Sequence, residues 1–231
     1  MASLSDGYRA VVLGASGGIG GAIVDALHAD PRCAHVAALH RRSAIPIDFE
    51  DEATIARAAG SLAAAGPFSL IVNAAGLLHD DGLMPEKRLA DLDYARLSAT
   101  FRVNTFGPAL VLRHFAPLLG PDRALMAFLS AKVGSIGDNR LGGWYGYRAS
   151  KAALNMLVRT AAIELARVQP RSIVVALHPG TVDTRLSRPF GGAVRGRSPS
   201  VAAVEILGVL DGLTTDDSGG FRAYDGAVLP W

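Results

Sequence analysis

One cysteine, Cys33, stands in 231 residues. A single thiol closes no disulfide within the chain, so stability must come from packing, and a reducing compartment is expected. Charge is sparse as well: 19% of residues carry one, and the net charge is +2. The arginines behind a pI near 8.9 are scattered. "HRRS" at 40–43 is the only tight basic cluster before the C-terminal third, too thin for a nucleic-acid footprint. No apolar run approaches the roughly 20 residues of a membrane-spanning helix. The first residues lack a basic segment followed by an apolar stretch and a small-residue cleavage site. The expectation is a cytoplasmic protein with no membrane, nucleic-acid or metal partner.

What is present favours a packed globule. Half the residues are hydrophobic and the mean hydropathy is +0.27, enough to bury a substantial core. Short apolar runs recur at 9–13 "RAVVL", 35–39 "HVAAL", 68–73 "FSLIVN", 124–130 "ALMAFLS" and 172–178 "SIVVALH". Segments of helical period separate them, notably after the first strand, at 100–118 and at 145–168. Strands apolar throughout, rather than alternating, are buried on both faces. The pattern predicts one α/β domain over 1–231, a Rossmann-type doubly wound parallel sheet with helices on both faces. The Gly-, Pro-, Ser- and Arg-rich stretch at 185–200 is the best candidate for a mobile loop beside a ligand.

The first strand runs directly into "LGASGGIGG". Gly14, Gly18 and Gly20 permit a tight turn and a close backbone approach to a pyrophosphate. The helix that follows offers free N–H groups and a partial positive charge to that anion. The second strand ends in "LHRRS", with no carboxylate to meet a ribose 2′-hydroxyl. Arg41 and Arg42 suit a 2′-phosphate instead, so NADP(H) is favoured over NAD(H). Asp48 either accepts from the adenine amino group or caps the next helix, with Glu50 and Asp51 suiting its first turn.

At 143–157, "GWYGYRASKAALNML" sets Tyr147 four residues before Lys151, on one helical face. Tyr145 has no lysine one turn on. Together with "GASGGIG" (14–20), "NAAG" (73–76), "RVNTFGP" (102–108), "LSAKVGS" (129–135), "YRASK" (147–151) and "HPGTVDT" (178–184), the chain resembles the short-chain dehydrogenases/reductases along essentially its whole length. Within that family it looks most like the C-factor-like carbonyl reductases. The resemblance implies that Tyr147 donates the proton and that Lys151 holds the nicotinamide ribose and lowers the phenol pKa. It implies that Asn104 links Lys151 to solvent through water, in a helix that Pro108 disturbs. It assigns the cofactor to Gly14, Ser16, Gly18, Ile19 and Gly20, to Asn73, Ala74, Ala75 and Gly76, and to Pro179, Gly180, Val182 and Thr184. His178 and Cys33 read as structural.

One departure matters. In most members of the family that the chain resembles, the strand ends in Ser-Ser-x-x-Gly, and the second serine holds the substrate oxygen. Here that place is Ala131, and a methyl group donates no hydrogen bond. Ser135 is the favoured substitute and Ser130 a second candidate, although strand alternation points Ser130 away from Ala131. The leading expectation is NADP(H)-dependent hydride transfer between the nicotinamide and a carbonyl or secondary alcohol. The alternatives are a 3-oxoacyl-thioester reductase, with Arg185, Arg188, Arg195 and Arg197 meeting an anionic carrier, and a cofactor-binding sensor. The substrate pocket is expected from loops 77–90, 135–145 and 185–200. A homodimer or homotetramer is expected through the helix at 145–168, with Ala152, Ala153, Leu157, Ala161 and Leu165 on the contact face.

Overall fold

A computed structural model describes all residues except Asp81 and Leu83, two positions of the expected pocket loop 77–90 that therefore lie outside the described residues. Six parallel strands form one sheet in the order β2-β1-β3-β4-β5-β6. They are β1 (Tyr8–Leu13), β2 (Cys33–Leu39), β3 (Leu70–Asn73), β4 (Ala124–Leu129), β5 (Ser172–His178) and β6 (Phe221–Ala223). Helices α1 (Gly18–His28), α2 (Glu52–Leu62), α3 (Tyr94–Phe101), α4 (Gly107–Phe115), α5 (Tyr145–Val168), α6 (Gly192–Arg195) and α7 (Pro199–Gly212) complete it.

Period-2 alternation explains the uniformly apolar strands. Val11, Leu13, Ile71, Met126, Phe128 and Val174 face α2, α4 and α5 in one core cluster. Ala10, Val12, Leu70, Val72, Leu125 and Val175 face α1 and α7 in the other. With both faces covered, the strand interiors are apolar, and polar residues such as Arg9, Asn73, Ser172 and His178 fall at or near strand ends. The doubly wound sheet expected from the sequence is the sheet observed. Its order reverses at β1, flanked by β2 and β3, and such a switch point opens a crevice at the strands' C-terminal ends.

Three elements differ from the sequence reading. β6 has only three residues and a weak pattern. The long helix expected over 100–118 is broken: a π-helical segment, Arg102–Phe106, sits between α3 and α4. In an α-helix the N–H of residue 108 would bond the carbonyl of Asn104; Pro108 has none, and the extra residue of the π turn falls there. The stretch 185–200 holds a 3₁₀ turn at Arg188–Phe190, then α6 and the start of α7. Among the described residues no helix is long and apolar enough to cross a membrane.

Candidate active site

The crevice at the sheet switch point is lined first by the glycine turn. Gly14 has φ +80°, and a Cβ there would stand 2.7 Å from the Ala75 amide nitrogen. The turn after β1 thus lies directly on "NAAG" after β3. Ala74 N–H donates to the Leu13 carbonyl at 2.8 Å, and Asn73 Oδ1 accepts from Ala75 N–H at 3.1 Å. A Cβ on Gly18 would meet Thr184 Cγ2 at 2.7 Å, and one on Gly20 would strike the Gly14 carbonyl at 2.3 Å. Helix α1 has no side-chain N-cap, so its first N–H groups remain for an anion. Ser16 is exposed beside them and Ile19 packs against the core cluster on the α1 and α7 face of the sheet. A backbone cradle with no room for a Cβ and unspent N–H donors fits a pyrophosphate.

Arg41 and Arg42 are exposed at the end of β2, and among the described residues neither guanidinium has a side-chain partner. Asp48 is not the cap of α2. Its Oδ1 accepts from Glu50 N–H at 3.0 Å, while Asp51 caps the helix through Ala53 N–H. The Asp48 carboxylate therefore shapes a local turn, three residues too early to be the N-cap.

Across the crevice, α5 brings Tyr147 and Lys151 to the end of β4. Both are buried, Lys151 to 3% exposure. Lys151 Nζ donates to the Leu129 carbonyl at 2.9 Å and lies 5.9 Å from the Tyr147 ring centroid. Burial pulls the ammonium down to about 8 and pushes the Tyr147 phenol above its usual range, because a low-dielectric site disfavours either charge. The π-helical segment locks against this helix. Asn104 Nδ2 donates to the Leu77 carbonyl at 2.7 Å and to Ser150 Oγ at 3.1 Å, and its Oδ1 accepts from Leu77 N–H. A Cβ on Gly76 would sit 3.6 Å from both Asn104 Oδ1 and Lys151 Nζ, so the loop, the asparagine and the lysine converge.

The two serines part company. Ser130 Oγ donates to Asn155 Oδ1 at 2.7 Å, turned onto α5 with its proton spent. Ser135 Oγ accepts from Asp138 N–H at 3.1 Å, which leaves its own O–H to donate. The loop after β5 is held from behind. Arg197 bonds the Pro179 carbonyl, pairs with Glu205 and lies over the Tyr224 ring at 3.4 Å. Gly180, at φ +71°, leaves room for that guanidinium. Val182 is buried beside it in a parallel bridge to Arg197.

A family model described as enoyl-(acyl carrier protein) reductase matches residues 13–208. The chain belongs to the short-chain dehydrogenase/reductase family. It is therefore an oxidoreductase of that type. C-signal of Myxococcus xanthus is 39% identical over 169 residues, 72% of this chain and 94% of that one. The 1-hydroxy-2-glutathionyl-2-methyl-3-butene dehydrogenase of Rhodococcus sp. (strain AD45) is 36% identical over 155 residues, 67% of each. The NADPH-bound carbonyl reductase from chicken fatty liver superposes with a TM-score of 0.84 at 26% identity, covering 99% of this chain and 96% of that one.

In this short-chain dehydrogenase/reductase the mouth of the crevice is aromatic. Trp144 meets Phe190 edge-on at 4.9 Å and Tyr147 at 6.2 Å. His79 meets Phe190 at 5.7 Å and its Nε2 contacts the Arg185 carbonyl at 3.1 Å. Described residues of the loops 77–90, 135–145 and 185–200 thus meet one another here. The loop arginines are engaged elsewhere: Arg188 pairs with Asp183 at 2.8 Å, Arg185 with Asp80 at 3.8 Å, and Arg195 donates to the Phe190 carbonyl. That weakens the anionic-carrier alternative. Sequence reasoning missed Ser150, Asn155, Glu86 and this aromatic wall. "YRASK" held the signal for Ser150. Nothing in spacing alone foretold that Trp144, His79 and Phe190 would meet.

Proposed function

We propose that the protein transfers hydride between NADP(H) and a carbonyl or secondary alcohol, with Tyr147 as general acid and base. The observation that carries this reading is the convergence of Tyr147, Lys151 and Asn104 opposite a glycine cradle that accommodates no Cβ. A bound nicotinamide supplies or accepts the hydride at the reacting carbon. Tyr147, kept protonated by burial, gives its phenolic proton to the developing alkoxide, and takes one in the reverse direction. The Lys151 ammonium favours the phenolate left behind. Ser135 donates to the substrate oxygen in place of the methyl at Ala131. Arg41 and Arg42 hold the 2′-phosphate, with Ser16 and the α1 amides on the pyrophosphate. Gly180, Val182 and Thr184 face the carboxamide. The edge-on rings of Trp144 and Phe190 select an apolar substrate.

A second reading rests on Ala131 and on the likeness to C-signal: cofactor binding in a signalling role, with weak turnover. One measurement separates them. NADPH and NADH absorbance is followed with a panel of ketones and aldehydes, for wild type, Tyr147→Phe and Arg41→Ala/Arg42→Ala. The enzyme reading expects turnover that falls about 10²-fold or more in Tyr147→Phe with NADPH binding intact. The arginine variant loses on the order of tenfold in NADPH affinity but not in NADH affinity. Tight NADPH binding with no turnover on any substrate favours the signalling reading. Faster turnover with NADH sinks the assignment of NADP(H).

A further inference from the structure

The loop that walls the substrate side contributes a buried carboxylate that the chemistry above does not use. Glu86 is only 3% exposed. It lies 60 residues before Gly146 in the chain, yet its main-chain carbonyl and its carboxylate both reach the start of α5. Its main-chain carbonyl accepts from Trp144 N–H at 2.5 Å. Its Oε2 accepts from Gly146 N–H at 3.0 Å.

The first N–H groups of a helix need outside acceptors, and an extended Ser, Thr, Asp or Asn at the N-cap ordinarily provides one. Helix α5 has no such residue. Its N-cap is Trp144, left-handed at φ 53° and ψ 44°, with no side-chain capping bond. Gly146 is the complement of the missing cap: a Cβ there would come within 2.8 Å of Glu86 Oε1. A carboxylate buried this deeply needs donors, and the helix N-terminus offers both an N–H and a partial positive charge.

We propose that Glu86 is a positioning residue, capping α5 from the opposite loop and so holding Tyr147, which follows Gly146 directly, and Trp144 in their working places. The proposal rests on the reading of Tyr147 as proton donor. Because the cap comes from the pocket wall, ordering that wall and aiming the phenol are one event. Lys151 lies one turn further in and is held by the Leu129 carbonyl. Loss of the cap therefore acts on the proton transfer and leaves cofactor binding in place.

The test uses the full chain with Glu86→Ala, Glu86→Gln and Gly146→Ala. Glu86→Ala is expected to lower kcat by roughly tenfold to a hundredfold through misplacement of the phenol, with NADPH affinity unchanged. Glu86→Gln keeps an acceptor oxygen at the same place and recovers most of the rate. Gly146→Ala drives the carboxylate away and matches Glu86→Ala; in the Glu86→Ala background its Cβ meets no carboxylate and adds little. Hydrogen exchange in the cofactor-free protein is expected to speed up at 144–148 in the two alanine variants, with the rest of α5 still protected. That readout needs no turnover. If Tyr147→Phe is as fast as wild type, the functional reading fails while exchange still judges the cap. Unchanged exchange in Glu86→Ala, or wild-type kcat there beside an inactive Tyr147→Phe, overturns the proposal. So does a glutamine variant no better than alanine. Should Glu86→Ala not fold, wild-type kcat in Gly146→Ala overturns it instead.

Discussion

Ala131 takes extended backbone angles at the end of β4 and carries a methyl, so the proposed chemistry needs another donor for the substrate oxygen. Ser135 keeps an unspent O–H, whereas the Ser130 O–H donates to Asn155 Oδ1. Ser135→Ala is therefore expected to lower kcat, and Ala131→Ser to raise it by about tenfold or more, the scale on which single oxyanion donors act. Ser130→Ala is expected to leave kcat near wild type and cost about 1–3 kcal/mol in urea denaturation, because the buried Asn155 amide loses its partner. Steady-state rates on one ketone decide between them; a larger rate loss in Ser130→Ala than in Ser135→Ala would reverse the assignment. Lys151 makes a second prediction at this scale. Its folded pKa, about 8, lies below the ordinary lysine value of 10.5 because burial disfavours the ammonium. Between those values the unfolded chain binds more protons than the folded one, so this residue's contribution to stability rises with pH. Thermal melts of the cofactor-free protein are expected to show wild type gaining on Lys151→Met from pH 8 to pH 10. A constant difference across that window would mean that the ammonium is not desolvated in the fold.

Elements were legible where a local rule and the tertiary fold agree. The strand, glycine turn and α1 could be read directly, because tight turning, close backbone approach and a free helix N-terminus all demand the same residues. The five longer strands announced themselves through uniform apolarity, and the face carrying Tyr147 and Lys151 through helical spacing. The break at Arg102–Phe106 was half legible: Pro108 marks a missing N–H, but an extra residue in the turn depends on the contacts of Asn104 and Thr105 with Ser150. The start of α5 at Tyr145 was legible, but its cap was not. Its cap comes from Glu86, and a left-handed tryptophan at an N-cap has no propensity signal, since its cost is offset only by contacts from a distant loop. β6 escaped because three residues paired with β5 at Ala176–His178 show no period. The site followed the same division. Residues tied to a turn or a helix face were foreseeable, while Ser130's turn towards Asn155 depends on how β4 packs against α5.

At the scale of the whole molecule, α5 is also the element that a second copy is expected to cover. Of the contact face expected from the sequence, Leu157, Ala161 and Leu165 pack partly against the chain's own core. Among the apolar side chains left outward on α5 are Met156, 66% exposed, and Ile163, 48% exposed, besides Val168 at its end and Phe106 of the neighbouring π turn. Met156 and Ile163 are seven residues apart, two turns on one face, so a two-fold axis across the helix would set each against its counterpart. Burying such side chains is favourable by about 1.5–3 kcal/mol each, and pairing would also clamp the helix that bears Tyr147 and Lys151. Sedimentation velocity at micromolar concentration is expected to find two or more copies of the chain. Met156→Glu with Ile163→Glu is expected to yield monomers, since facing carboxylates would then repel in a desolvated contact. A wild-type monomer at that concentration, or a double variant that sediments unchanged, would place the contact on another face or remove it altogether.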